Sequence, residues 1–297
     1  MRIERHQVEE AAVAAALEDF DDRFGAQVRT MSRGGRMATY EWQRLAEDLL
    51  DHLGALSLGA PALDTPQAQA YLKDAAAAAA GAVSYAAYNT YDSFSVFLDH
   101  VNFGMSYRPG GERDDLDGVT AWEWNDAFCL AVLADTVTEN GEAFHFARQE
   151  WDGNAPGDPT TELVKGFLAQ VLGDTGDEEE EYPPSDRAKL AAVDAGLERI
   201  RACAAGAAGE GLLGRPDAMG LRVLRAVAAG DREAFDSELA ALLLHHSAQP
   251  GPLTRPRTLL PLLPLALAAL AYRTHGWLPA ADTEYLPRTL VTGFETA

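Results

Sequence analysis

Apolar side chains recur along this chain at steps of three and four, the spacing that lines one face of an α-helix. Over residues 8–24 the stripe is Val13, Leu17, Phe20 and Phe24; over 40–56 it is Trp42, Leu45, Leu49, Leu53 and Leu56. Each stripe predicts a helix. Thr65 followed by Pro66 predicts a further helix start, because threonine caps free amides and proline fits the first helical position. The alanine run 75–80 lies inside that helix. Thr120 is read as the cap of a helix carrying Trp124, Ala127, Phe128, Ala131 and Val132, ended by Asn140 and Gly141, with a partner helix from 142 to 151. Residues 221–229, the turn at Gly230 and Asp231, and residues 233–244 predict a second pair. Glu142, Ala143 and Phe144 match Glu233, Ala234 and Phe235, each triplet following a glycine turn, a trace of internal repetition. Residues 93–105 are rich in aromatic and β-branched side chains, which leaves helix and strand both open there. The predicted fold class is all-α, an array of antiparallel helix pairs in two packed halves.

The clearest break falls at 173–185, where Asp174, Asp177, Glu178, Glu179, Glu180 and Glu181 precede Pro183 and Pro184. Clustered like charge followed by two prolines predicts an exposed loop. It divides the chain into an N-terminal helical half, 1–172, and a C-terminal half, 186–297. Residues 108–118, 206–214 and 249–256 read as shorter connectors rich in glycine or proline.

Charge narrows the function. Forty-six acidic against 24 basic residues in 297 give a formal net charge of −22, a field that repels phosphate backbones and anionic lipid. Nucleic acid and membrane surfaces are therefore disfavoured partners, and a basic protein is favoured. The longest apolar run, 259–271, is interrupted by Pro261 and Pro264 and reads as a buried helix, since a membrane span needs about 18 residues or more. The first residues lack the apolar region of a signal peptide, so the expected location is the cytoplasm. Cys129 and Cys203 lie in alanine-rich helical stretches and read as packing residues, with a single disulfide left open.

Candidate chemistry is sparse. None of the histidines His6, His52, His100, His145, His245, His246 and His275 forms the i, i+4 pair with glutamate of a helical zinc site. His245 and His246 are adjacent, point about 100° apart on a helix, and suit a helix C-terminus better than a shared metal. Asp114, Asp115, Asp117 and Gly118 lack the spacing of a calcium loop. Dinucleotide, phosphate-loop and nucleophile-elbow glycine motifs are absent. A prenyl-diphosphate enzyme fails too: Asp21 and Asp22 have no third acid one turn on, and after Asn125 and Asp126 the remaining ligand positions hold Cys129 and Leu133. No catalytic residue, metal or cofactor is assigned. Trp122 and Trp124 flank Glu123, and residues two apart on a helix face different sides. Both rings part-buried in packing is the plainer reading; an exposed indole is an interface anchor. The two tryptophans and the acidic run are the candidate partner-binding residues.

From end to end the chain resembles the immunity protein 49 family of bacterial polymorphic toxin systems. The resemblance rests on ordered segments: Tyr40 to Arg44, Leu72 to Ala76, Val96 to Asp99, Trp124 to Cys129, Gly141 to Phe146, Val171 to Gly176 and Tyr285 to Phe294. It implies a non-enzymatic protein that binds and neutralises a cognate toxin, and stoichiometric occlusion is the favoured mode of action. Charge suggests that such a toxin is basic, with nucleases among the fitting classes. The alternative is a helical-repeat adaptor with no toxin partner. A third class, a small-molecule-binding or enzymatic helical domain, requires a deep pocket with convergent polar groups.

Overall fold

A computed structural model describes residues 1–109, 118–147, 156–176, 182–205, 211–248 and 255–294. Helices α1 (Glu10–Leu17), α2 (Phe20–Met31), α3 (Thr39–Gly59) and α4 (Pro66–Tyr88) open the chain. A hairpin follows, β1 (Phe94–Leu98) and β2 (Phe103–Tyr107). Then come α5 (Ala121–Ala134), α6 (Val137–Ala147), α7 (Pro159–Phe167), α8 (Asp186–Ala204), α9 (Pro216–Ala228), α10 (Arg232–Ala248), α11 (Leu262–His275) and α12 (Arg288–Thr292). The fold is mainly α, as the periodicity predicts. No described helix is long and apolar enough to cross a membrane.

Helix α4 is the centre of the packing. Its alanines 75, 76, 78, 79 and 80 are buried, and the short side chains let α3, α5, α6 and the hairpin approach it together. Thr65 caps it as predicted, its Oγ1 accepting from the Ala68 amide at 3.1 Å, with Pro66 in the first turn. Helix α11 takes the same role further on, packing on α5, α9, α10 and α12 with Leu265 to Ala269 fully buried. One continuous apolar cluster joins side chains from Ile3 to Val291.

Two boundaries differ from the sequence expectation. Residues 8–24 form two helices, because Asp19 adopts a left-handed φ of 44° and turns the chain; Leu17 is left 39% exposed. Helix α5 stops at Asp135 (φ 61°), whose neighbour Thr136 donates to the Ala131 carbonyl at 2.9 Å, a closed C-terminal cap. Asn140 and Gly141 therefore lie inside α6 rather than ending α5. Over 93–105, where helix and strand are both open by sequence, the chain forms β1, a turn and the start of β2, with Val96 opposite Met105 and Leu98 opposite Phe103. Val96, Leu98, Met105 and Tyr107 face the core, while Ser95, Phe97 and Ser106 face out. The hairpin is fastened twice. Tyr107 accepts from Trp42 Nε1 at 2.8 Å and donates to the Met37 carbonyl at 2.9 Å. Buried Asp74 accepts from the Asp99 and His100 amides at 2.8 and 3.2 Å, capping the turn.

The histidines and cysteines are placed individually. Cys129 is buried and Cys203 exposed, both as free thiols, so the packing role fits Cys129 and fails for Cys203. His245 and His246 stand in the last turn of α10. Asp21 accepts from the Tyr71 hydroxyl at 2.7 Å and lies 2.9 Å from His100 Nε2, tying α2 to α4 and the hairpin turn.

Candidate functional site

The first turns of α5 are fixed by a reciprocal cap. Thr120 Oγ1 accepts from the Glu123 amide at 3.3 Å, and Glu123 Oε2 accepts from the Thr120 amide at 2.7 Å. From that start the helix presents two faces. Trp124 and Phe128 stack at 4.8 Å, fully buried against Phe144, and Trp124 Nε1 donates to the Phe144 carbonyl at 3.0 Å. Trp122, Asn125, Asp126 and Cys129 line the other face, which opens on a cavity of about 440 Å³. Helix α3 supplies Gln43, Glu47 and Leu50 to its wall, α4 supplies Ala82, α10 supplies His245 and His246, and the Pro256–Leu259 turn supplies Arg257.

Four carboxyl groups and one guanidinium line this cavity among the described residues: Glu47, Glu123, Asp126 and Asp217 against Arg257. Most are engaged. Glu47 pairs with Arg257 at 2.8 Å, Glu123 serves the cap, and Asp217 accepts from Thr160 Oγ1 at 2.9 Å and Arg215 Nη2 at 3.0 Å. Asp126 makes no hydrogen bond or ion pair among the described residues. Its side chain is open to the cavity yet enclosed by protein at longer range, and that desolvation, reinforced by Asp217, pushes its carboxyl up to about 7. Burial also pushes the Cys129 thiol well up, which makes it a poor nucleophile. Neighbouring Asn125 is 5% exposed; its Nδ2 donates to the Thr160 carbonyl at 3.2 Å, and its Oδ1 has no partner. A carbonyl only accepts, so the orientation of this amide is fixed and Oδ1 is the free atom. Gln43 Nε2 is likewise buried without a partner.

Behind the cavity, His246 Nε2 donates to the Thr258 carbonyl at 2.8 Å. Thr258 Oγ1 donates to the Arg255 carbonyl at 2.7 Å and so accepts from His6 Nε2 at 2.8 Å, leaving His6 Nδ1 to accept from the Tyr285 hydroxyl at 2.6 Å. Both imidazoles are held neutral, their pKa lowered chiefly by burial.

The predicted partner-binding residues do not converge. Trp122 is 52% exposed and borders the cavity. Trp124 is a core residue with no accessible surface, which corrects its candidacy as an anchor: its indole N–H and ring are both used inside. Asp174 is not on the cavity wall; its Oδ2 meets His145 Nδ1 at 2.8 Å and its Oδ1 accepts from the Gly176 amide at 3.0 Å. Asp177, Glu178, Glu179, Glu180 and Glu181 lie outside the described residues, as do Asp114, Asp115 and Asp117. By sequence alone Asp126 reads only as a failed metal ligand. The signal available was its position one turn after Trp122 and three residues before Cys129, on a single helix face. No group of three or more His, Cys, Asp or Glu side chains among the described residues is placed to hold a metal ion.

Fold and site together define a mainly α-helical protein with an acid-lined cavity opening beside an exposed tryptophan. The chain belongs to the immunity protein 49 family, which matches residues 61–290. Neither the curated proteins nor the solved structures compared with it gave a match.

Proposed function

We propose that the protein neutralises a cognate secreted bacterial toxin by stoichiometric occlusion in the cytoplasm, without catalysing a reaction. Membership of an immunity protein family supports this reading, and the observation that carries it is Trp122, half exposed beside an acid-lined cavity. Interface energy concentrates in such aromatic anchors where surrounding contacts exclude water. The net charge of −22 favours a basic toxin, nucleases included, and accelerates association with it. Asp174, Asp177 and Glu178 to Glu181 form a second contact in this proposal.

Co-expression with the toxin encoded beside this gene tests the proposal. Protection and co-purification in a fixed ratio are expected; failure to protect against any neighbouring toxin overturns it. Replacing the acidic run with glycine and serine is expected to weaken binding and flatten its salt dependence. Unchanged binding removes that run from the interface.

A further inference from the structure

We propose that the cavity beside α5 is a binding site for an organic cation, an ammonium or guanidinium group on a short apolar stem, with Asp126 as its counter-ion. The proposal goes beyond toxin neutralisation and stands apart from it.

Three observations converge. Asp126 is a carboxyl with no hydrogen bond or ion pair among the described residues, open to the cavity, in a wall where carboxyl groups outnumber guanidinium groups four to one and that guanidinium is already held by Glu47. Asn125, immediately before it on the same wall, carries a buried carbonyl oxygen that only an N–H or O–H donor can satisfy. The rest of the wall is largely aliphatic, including Leu50, Ala82, Leu130 and Leu260, which suits an alkyl stem. An apolar cavity of this size with a few convergent polar groups is the usual form of a small-ligand site.

Binding also moves a proton. The groups facing Asp126 are Glu47 from α3, Glu123 from its own helix, Asp217 from α9, Arg257 from the Pro256–Leu259 turn, and His245 and His246 from α10. Without a cation, these surroundings leave Asp126 part-protonated near pH 7. A bound cation favours the carboxylate, so the proton leaves to solvent, and affinity falls as pH drops through about 7. His246 is neutral in this range and does not oppose the cation.

Calorimetric titration of the full chain with agmatine and with n-butylamine, in buffers of differing ionisation heat, tests the site. Saturable binding with proton release at pH 7 is expected; n-butanol and butyrate, which lack the positive charge, are expected not to bind. Asp126→Asn is expected to abolish the proton release and lower affinity about tenfold or more, the scale of one charge-assisted hydrogen bond. Asp126→Glu is expected to restore part of both. A capped tetrapeptide with central arginine separates the sources: binding of agmatine alone assigns a free small cation, and equal binding of the peptide assigns a side chain delivered by a protein. No binding by any of the three cations, or binding that Asp126→Asn leaves unchanged while the variant melts as a folded protein, overturns the proposal.

Discussion

Arg199 grips the buried carboxylate of Glu162 with two parallel hydrogen bonds, Nε to Oε1 at 2.9 Å and Nη2 to Oε2 at 2.7 Å. The Glu162 side chain has no accessible surface, and it also accepts from the Gly157 amide at 2.9 Å. The pair locks α8 onto α7. Removing one partner of a buried pair strands the other charge, so Arg199→Ala is expected to cost about 3 kcal/mol or more. Arg199→Lys should recover only part, since lysine lacks the planar fork. Urea denaturation midpoints check both, and a loss under about 0.5 kcal/mol, the surface-pair range, would sink the assignment.

Gly54 on α3 touches the backbone of the Pro256–Leu259 turn; an added Cβ would lie 2.1 Å from the Pro256 carbonyl oxygen and 2.8 Å from the Arg257 nitrogen. Backbone cannot rotate away, so Gly54→Ala should displace the turn and break the Asp51–Arg257 amide hydrogen bond of 3.1 Å. A cost of about 2–3 kcal/mol is expected, in the range of overpacked cores. Faster hydrogen exchange at Arg257 is the specific readout.

Trp122 and Trp124 separate interface from core in one experiment. Trp124→Ala removes a buried ring and its hydrogen bond and should cost about 3–5 kcal/mol. Trp122→Ala should leave the melting temperature within about 2 °C, as a change of under 0.5 kcal/mol in a chain of this size does. It should still weaken toxin binding by about 2 kcal/mol if the ring is an anchor. Full toxin affinity in Trp122→Ala would refute that role.

His6 and His246 predict an acid-labile fold. Their folded pKa values are lowered, so the native state holds them neutral and their contribution is complete above the unfolded value of about 6.5. It is lost as pH falls below that value, because the unfolded chain binds the protons more readily. Asp74 (about 6) and Asp126 (about 7) slope the other way, their burial costing stability as pH rises from about 4. His246→Gln should therefore flatten the expected loss of stability below pH 6.5, with thermal melts across pH as the measurement; an unchanged slope counts against the histidines.

Asp126→Asn isolates the opposite slope. Near pH 4 the variant should melt with the parent, and by pH 8 it should melt about 2–4 °C higher, the shift given by about 1 kcal/mol at this size. The figure is kept small because the carboxyl faces a cavity that water screens.

The sequence made the helices legible and the cavity illegible, for the same reason. Periodicity reports one helix at a time: Trp42, Leu45 and Leu49 mark a buried stripe wherever α3 finally packs. The cavity wall is assembled from Gln43 to Pro264, and no local pattern records that these elements converge. The hairpin was partly legible, since Ser95, Gly104 and Ser106 interrupt the apolar positions with a period near two. Its aromatic content obscured that alternation. Asn140 and Gly141 looked like a stop because their turn propensity outweighs a helix propensity supplied here by burial of α6 against α4. Composition showed the excess of acid but not that one carboxyl sits unpaired beside an unsatisfied amide oxygen.

The Ile3 amide donates to the Asp282 carbonyl, and His6 meets Tyr285 across 279 positions of sequence. Residues 3–6 thus wait for residues 282–285 before this contact can close, and loop closure over such a span is slow. Until then Ile3 lacks its cover, so nascent and truncated chains present apolar surface that the finished protein hides. Any nonsense mutation before Asp282 therefore removes the clasp as well as the residues beyond it.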